Sequence, residues 1–226
     1  MKFEKLHDWN LSLHEAAELQ VNLREKLIIF GNPEVRYIAG IDCSTQKDSD
    51  QIWAAAVVYD LNEQKAIEVK TFQTVATFPY ISGYLCFREG PAVLGVISKL
   101  SATPDIFMFD GHGIAHPRGL GIASHLGLWL GRPSIGCAKS RLIGNAPEPA
   151  QKKGSFQAIY LKEKQLGILL RTKDGINPIW VSPGHLIGIN ESANIVLRCC
   201  NKYRIPEPTR LAHFEVNNFR KKKKPS

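Results

Sequence analysis

The chain has 226 residues, 44% of them hydrophobic and 22% charged, with a formal net charge of +8. This balance suits one globular domain with a sizeable core and excludes a disordered or fibrous chain. No apolar run approaches membrane-spanning length and Met1–Asp8 lacks an apolar signal core, so a cytoplasmic protein with no membrane partner is expected. Five cysteines (43, 86, 137, 199 and 200) form no CxxC pair, which points to free thiols in a reducing compartment.

The charge excess is uneven. Arg220 and Lys221–Lys224 carry five positive charges at one end, leaving a body of only +3, which permits a polyanionic partner. Residues 220–226 read as a disordered basic tail and 1–219 as a single domain.

Leu13, Ala16, Leu19, Val21, Leu23 and Leu27 follow helical spacing from Ser12 to Ile28, and Ser12 with Glu15 reads as a capping box. Strands are expected at 37–44, 52–59 and 66–75, joined by short polar connections as an antiparallel meander. The stretch 78–83 is a loop by its Pro and Gly content. Helical pattern runs from Leu85 to Leu100, with Gly90-Pro91 predicting an interruption or kink. A strand at 105–110, a helix at 119–131 and a strand at 134–138 follow. Strands at 156–162, 165–172 and 178–182 form a peripheral set, and helices are expected at 191–203 and from Glu207. Three strands, helix, strand, helix, strand and an extension predict an α/β protein whose mixed sheet is flanked by helices. That order resembles the ribonuclease H-like fold.

Ile106-Phe-Met-Phe109 is apolar without alternation, as in a strand buried on both faces, and it ends in Asp110 before a glycine-rich turn. Asp110 thus falls at the carboxyl end of a strand, where open sheets place ligands. Asp42 near the end of the first strand and Glu89 in the helix after the meander complete an acidic set. Converging carboxylates repel unless protonated or bridged by cations; Mg²⁺ suits such a set together with phosphate oxygens and waters. The plainer readings are a hydrogen-bonded core acid for Asp42 and a solvated helix face for Glu89.

Lys139 and Arg141 follow the next strand, where a cation neutralises phosphate charge. His116 and His125 offer holds for substrate, His125 being the more structural of the two. His213 has two readings, a base or metal-water partner and a packing residue. Pro79, Tyr80, Ile81 and Ser82 place an aromatic and a branched residue in a loop, the composition of a wedge that enters between bases. Gly83, Gly111, Gly113, Gly121 and Gly136 allow backbone to approach a flipped base closely.

At these residues the sequence resembles the endonuclease V family, which cuts DNA at deoxyinosine. The matching blocks are Gly40-Ile-Asp42, Pro79-Tyr-Ile-Ser-Gly-Tyr-Leu-Cys-Phe-Arg-Glu89, Asp110-Gly-His-Gly-Ile-Ala-His-Pro-Arg118, Ala123-Ser-His-Leu-Gly127, Gly136-Cys-Ala-Lys139 and Val181-Ser-Pro-Gly-His185. The resemblance implies a ribonuclease H-like fold and Mg²⁺-dependent hydrolysis, with Mn²⁺ as substitute. The cut falls at the second phosphodiester 3′ of the deaminated adenine, leaving 3′-hydroxyl and 5′-phosphate ends. It implies Asp42, Glu89 and Asp110 as metal ligands and Lys139 and His213 as active-site helpers. Pro79–Ser82 becomes the strand-separating wedge, Arg88 and His116 support the metal or phosphate region, and Leu85, Gly83, Gly111, Gly121 and Gly136 join the substrate-binding set. Two positions depart from the pattern. Ser82 stands where the family's wedge has a second Pro, which loosens the loop, and His112 stands where Gln is commoner. The expected partner is deoxyinosine-containing DNA bound by a monomer. Inosine-containing RNA, another ribonuclease H-like nuclease and a non-catalytic nucleic-acid-binding module are the alternatives.

Overall fold

The computed structural model describes residues 1–226 other than 2, 4, 47, 48 and 224–226. Its first helix, α1 (Leu13–Arg24), begins at the capping box expected of Ser12: the Glu15 amide donates to Ser12 Oγ and the Ser12 amide to Glu15 Oε2. α1 stops at Arg24, short of the expected Ile28. Beyond it the backbone runs beside residues 186–188, with Leu186 N donating to Ile28 O and Gly188 N to Gly31 O. Only Ala16, Gln20 and Leu23 of α1 are buried; Leu13 and Val21 face solvent.

Strands β1 (Tyr37–Thr45), β2 (Gln51–Asp60) and β3 (Lys65–Val75) form the antiparallel meander. Helix α2 (Leu85–Ile97) runs unbroken through Pro91, so the expected interruption is absent. Packing supports it: a Cβ at Gly90 would meet the Trp9 ring at 2.5 Å, and nine of its residues are buried. Next come β4 (Ile106–Phe109), α3 (Ile122–Leu130) and β5 (Ser134–Ala138). α3 starts later than expected because residues 111–121 are spent on a loop.

The three strands expected to be peripheral instead continue the central sheet. They are β6 (Phe156–Leu161), β7 (Lys164–Leu170) and β8 (Ile179–His185), and the eight strands lie in the order β3-β2-β1-β4-β5-β8-β7-β6. β1, β4 and β5 are parallel to one another, while β8 returns antiparallel to β5. Helices α4 (Ile189–Arg198) and α5 (Glu207–Lys223) close the fold. Arg220–Lys223, expected to open a disordered tail, form the last turn of α5, where cations oppose the negative end of the helix dipole, and 224–226 of that expected tail lie outside the described residues.

Period-two alternation sorts the parallel strands between two apolar layers. Ala39, Ile41, Phe107 and Phe109 pack under α2 and α3. Ile38, Ile106, Met108 and Val181 pack under α4. α5 lies on the second face, across β1 and β2, with Val216 against Trp53 and Ala55. Gly40 sets the closeness of that approach, since an added Cβ would sit 2.1 Å from the Pro208 carbonyl. Helix and strand backbones touch only because this side chain is absent. Gly40→Ala should therefore destabilise the fold by about 1–3 kcal/mol through overpacking, read as a lower midpoint in chemical denaturation.

Candidate active site

The register of β1 and β4 builds the centre. Ile41 pairs with Phe109 in parallel, so Asp42 and Asp110 are the next residues on adjacent strands and project to the same side. The Asp110 amide donates to the Ile41 carbonyl at 3.3 Å, holding that step after β4 has ended. α5 then delivers His213. One ligand atom from each of Asp42, Asp110 and His213 lies within 4.8 Å of the other two. Lys139, one residue past β5, pairs with Asp110 Oδ2.

His213 Nδ1 lies 2.7 Å from Asp42 Oδ2. Asn217, one turn further along α5, donates from Nδ2 to the His213 carbonyl at 2.8 Å and faces His213 Nε2 at 3.2 Å. An amide nitrogen next to Nε2 makes that nitrogen the acceptor, so the neutral ring carries its proton on Nδ1 and donates to Asp42. Ser44 Oγ donates to Asn217 Oδ1 and completes the chain of bonds.

Charge crowding and burial shift the carboxyl groups. Burial, then the neighbouring Asp110 charge, raise Asp42 to about 6. Glu89 rises to about 8 through burial and the charges of Asp42 and Asp110. Glu89 reaches the centre from α2 on the other side of the sheet and stands outside the three-residue group, although its charge senses both aspartates. This donor set fits a hard divalent cation: its atoms are mainly carboxylate oxygens, and like charges crowd where a cation would relieve them.

A cavity of about 350 Å³ opens beside Asp110. Its walls are the wedge loop (Tyr80–Gly83) with Leu85 and Cys86, the turn at Gly111 and His112, His116, the Leu120–Ile122 segment, Ala138–Leu142, and Gln20 of α1. The volume falls within the range of small-ligand sites. His112, pushed down to about 4 by burial, keeps a buried Nδ1 without a hydrogen-bond partner. Gly136 does not line the cavity. It lies behind it, where an added Cβ would meet Gly113 N and Gly111 O at 2.5 and 2.6 Å, so the missing side chain seats the turn on β5.

The wedge loop projects Tyr80, which is 76% exposed, and both ends of the loop are pinned. Arg88 is buried, donates to the Phe78 carbonyl at 2.8 Å and pairs with Asp50. With Pro79 it lines a neighbouring cleft rather than the cavity. At the far end Gly83 adopts a left-handed φ of +80°, and its carbonyl accepts from Gln20 Nε2, His116 Nε2 and Arg118 Nη2 at 3.1, 3.0 and 2.7 Å. His116 Nδ1 meanwhile accepts from the Arg118 amide at 3.2 Å. Both His116 nitrogens are thus used inside the protein, and burial holds the ring neutral with its pKa down at about 4.

Asn217 and Gln20 escape the sequence reading, which holds Arg118 within the Asp110 block but gives it no role. For Asn217 the signal was its place one helical turn after His213, and for Gln20 a polar residue on the apolar stripe between Ala16 and Leu23. His125 is fully buried against His7, 2.6 Å away, and takes no part in the centre.

The mixed sheet, with an acidic group able to hold a cation at the ends of its parallel strands and an adjoining cavity, defines a ribonuclease H-like protein. The sequence model for Endonuclease V matches residues 18–214. Endonuclease V from Kosmotoga olearia is 44% identical over 98% of both chains. The crystal structure of Endonuclease V from Streptomyces avermitilis superposes with a TM-score of 0.90 at 34% identity, covering 95% of each chain. That of Ciona intestinalis Endonuclease V, in complex with a 24mer DNA containing an inosine followed by a ribo-adenosine, gives a TM-score of 0.84 at 30% identity, covering 94% of this chain and 99% of that one. The chain belongs to the endonuclease V family.

The His116 pKa carries a stability sign. A base held near 4 in the fold and near 6.5 in the unfolded chain binds its proton more readily when unfolded. The fold carries no such penalty above about pH 6.5, and stability is lost as pH falls toward 4, the loss reaching about 2 kcal/mol at pH 5. Asp42 and Glu89, raised by the fold, act in the opposite sense. His116→Gln supplies an amide donor and acceptor without titrating, so its thermal midpoint should fall less between pH 7 and pH 5 than that of the parent protein.

Proposed function

We propose that this protein is a DNA repair nuclease that hydrolyses the second phosphodiester bond 3′ to deoxyinosine, leaving 3′-hydroxyl and 5′-phosphate ends. One observation carries this reading: Asp110 belongs at once to the acidic centre and to the cavity wall. A nucleotide held in the cavity therefore places its flanking backbone at the centre. The exposed wedge on the same wall supplies the means of displacing a base, and an extruded base suits a walled, small-ligand cavity.

Asp42, Asp110 and Glu89 would hold Mg²⁺, with Mn²⁺ as a substitute. When bound, such a cation polarises the phosphodiester and makes a water nucleophilic near neutral pH. Lys139 stands beside Asp110 to balance phosphate charge that develops during cleavage. His213 donates from Nδ1 to Asp42 and faces Asn217 with Nε2, so it would take a proton from an attacking water at Nε2 by giving up the Asn217 contact. Tyr80 would occupy the gap left by the flipped base, and His116 and Arg88 would act through the ends of the wedge loop.

Among the described residues no helix is long and apolar enough to cross a membrane. Five free cysteines support a reducing, cytoplasmic setting for a protein proposed to act as a monomer.

The decisive assay compares matched oligonucleotides with and without one deoxyinosine, in Mg²⁺ and in chelator. The expected result is a Mg²⁺-dependent nick at the second linkage 3′ of the lesion; equal cutting of both strands would remove the recognition reading. Matched RNA oligonucleotides test whether the 2′-hydroxyl is accepted. Asp110→Asn should lower cleavage at least about 10³-fold while inosine-strand binding survives, because the lost group serves the reaction more than affinity. Tyr80→Ala should lower the preference for the deoxyinosine strand about tenfold, the scale of one stacking contact, with the Mg²⁺ dependence unchanged; an intact preference would exclude the wedge role.

A further inference from the structure

Gln20 is 1% exposed and every hydrogen-bonding group of its amide is engaged. Nε2 donates to the carbonyls of Gly83 and Leu120 at 3.1 and 3.2 Å, and Oε1 accepts from Arg118 Nε at 2.5 Å. The surroundings fix the amide's orientation, because two carbonyls only accept and a guanidinium only donates. Its three partners belong to three separate parts of the recognition apparatus. Gly83 ends the wedge loop. Leu120 opens the Leu120–Ile122 wall of the cavity. Arg118 stacks 4.1 Å over the Tyr84 ring and itself donates to Gly83. α1 lies outside the sheet, yet its one buried amide ties wedge to wall.

We propose that Gln20 is a positioning residue for damaged-base recognition, setting the separation between the wedge and the cavity it feeds. The inference rests on the deoxyinosine-cleaving function proposed above. A displaced base is selected by the shape of the space it enters, and that shape depends on wedge and wall moving as one body. Without the amide, Leu120 O is left with no side-chain donor and Arg118 Nε loses its acceptor, while Gly83 O keeps His116 and Arg118.

Two substitutions separate positioning from bulk. Gln20→Met keeps length and volume but removes all three bonds. Gln20→Glu keeps the acceptor for Arg118 and turns an oxygen toward two carbonyl oxygens, which repels them. The measurement is kcat/KM on a deoxyinosine strand and on its undamaged counterpart, with Mg²⁺ half-saturation and thermal midpoint recorded in parallel. In both variants kcat/KM for the deoxyinosine strand should fall about tenfold, mainly through KM, the scale of one lost buried hydrogen-bonding arrangement. Undamaged DNA should lose less, so discrimination narrows while Mg²⁺ half-saturation holds. If wild type cuts selectively but both variants keep its discrimination, or if both fail to fold, Gln20 is only structural and the proposal is overturned. A wild type that shows no preference for deoxyinosine overturns the functional reading itself, and this inference with it.

Discussion

Two aspartates on neighbouring parallel strands, each one residue beyond the last paired position, repel each other across the edge of the sheet, and the surrounding structure is arranged to tolerate that repulsion. The register of β1 and β4 makes the contact unavoidable. Lys139 answers from the end of β5 and His213 from α5, one cationic group on Asp110 and one imidazole donor on Asp42. Even so, Asp42 and Glu89 are held well above ordinary carboxylate values. Charge left incompletely balanced marks a place where an ion or substrate belongs. The backbone contact at Gly40 is part of the same arrangement, because a helix kept a side chain's width further out would not bring His213 to Asp42.

The recognition side is built on different physics. The wedge loop has little packing of its own at the tip, and Ser82 removes one of the two prolines the family pattern would supply. Stiffness comes instead from its ends, where buried donors converge on the carbonyls of Phe78 and Gly83. A carbonyl satisfied in a low-dielectric setting is difficult to move, because any displacement strands polar atoms away from water. An exposed tip on clamped ends can press against a base stack without losing its aim.

Much of this was legible in the sequence because it depends on local pattern. The apolar runs located the strands, the order of elements indicated the mixed sheet, and Asp42 and Asp110 lie side by side at their strand ends with His213 and Lys139 against them, while Glu89 stands outside that group. What was not legible depends on partners distant in the chain. Pro91 signals a break, yet helix α2 continues because its faces are occupied by sheet and by Trp9. The strands from Phe156 onward carry no mark of which edge they join, and only the pairing of β8 with β5 extends the central sheet. His116 looked like a substrate or phosphate group; both its nitrogens turn out to serve the backbone. Glycines that suggested close approach of a base partly serve close approach of the protein to itself, as Gly136 shows.

The order in which the site is completed follows from α5. Every strand of the sheet precedes this helix in the chain, so during synthesis the aspartates are made before the histidine that bonds one of them. Translation proceeds from the amino end, and a nascent sheet emerges with its acidic edge incomplete. Until the last helix settles onto Gly40, the chain lacks one arm of its own centre. The acidic pair and the imidazole that bonds it therefore come together only once the last helix has docked.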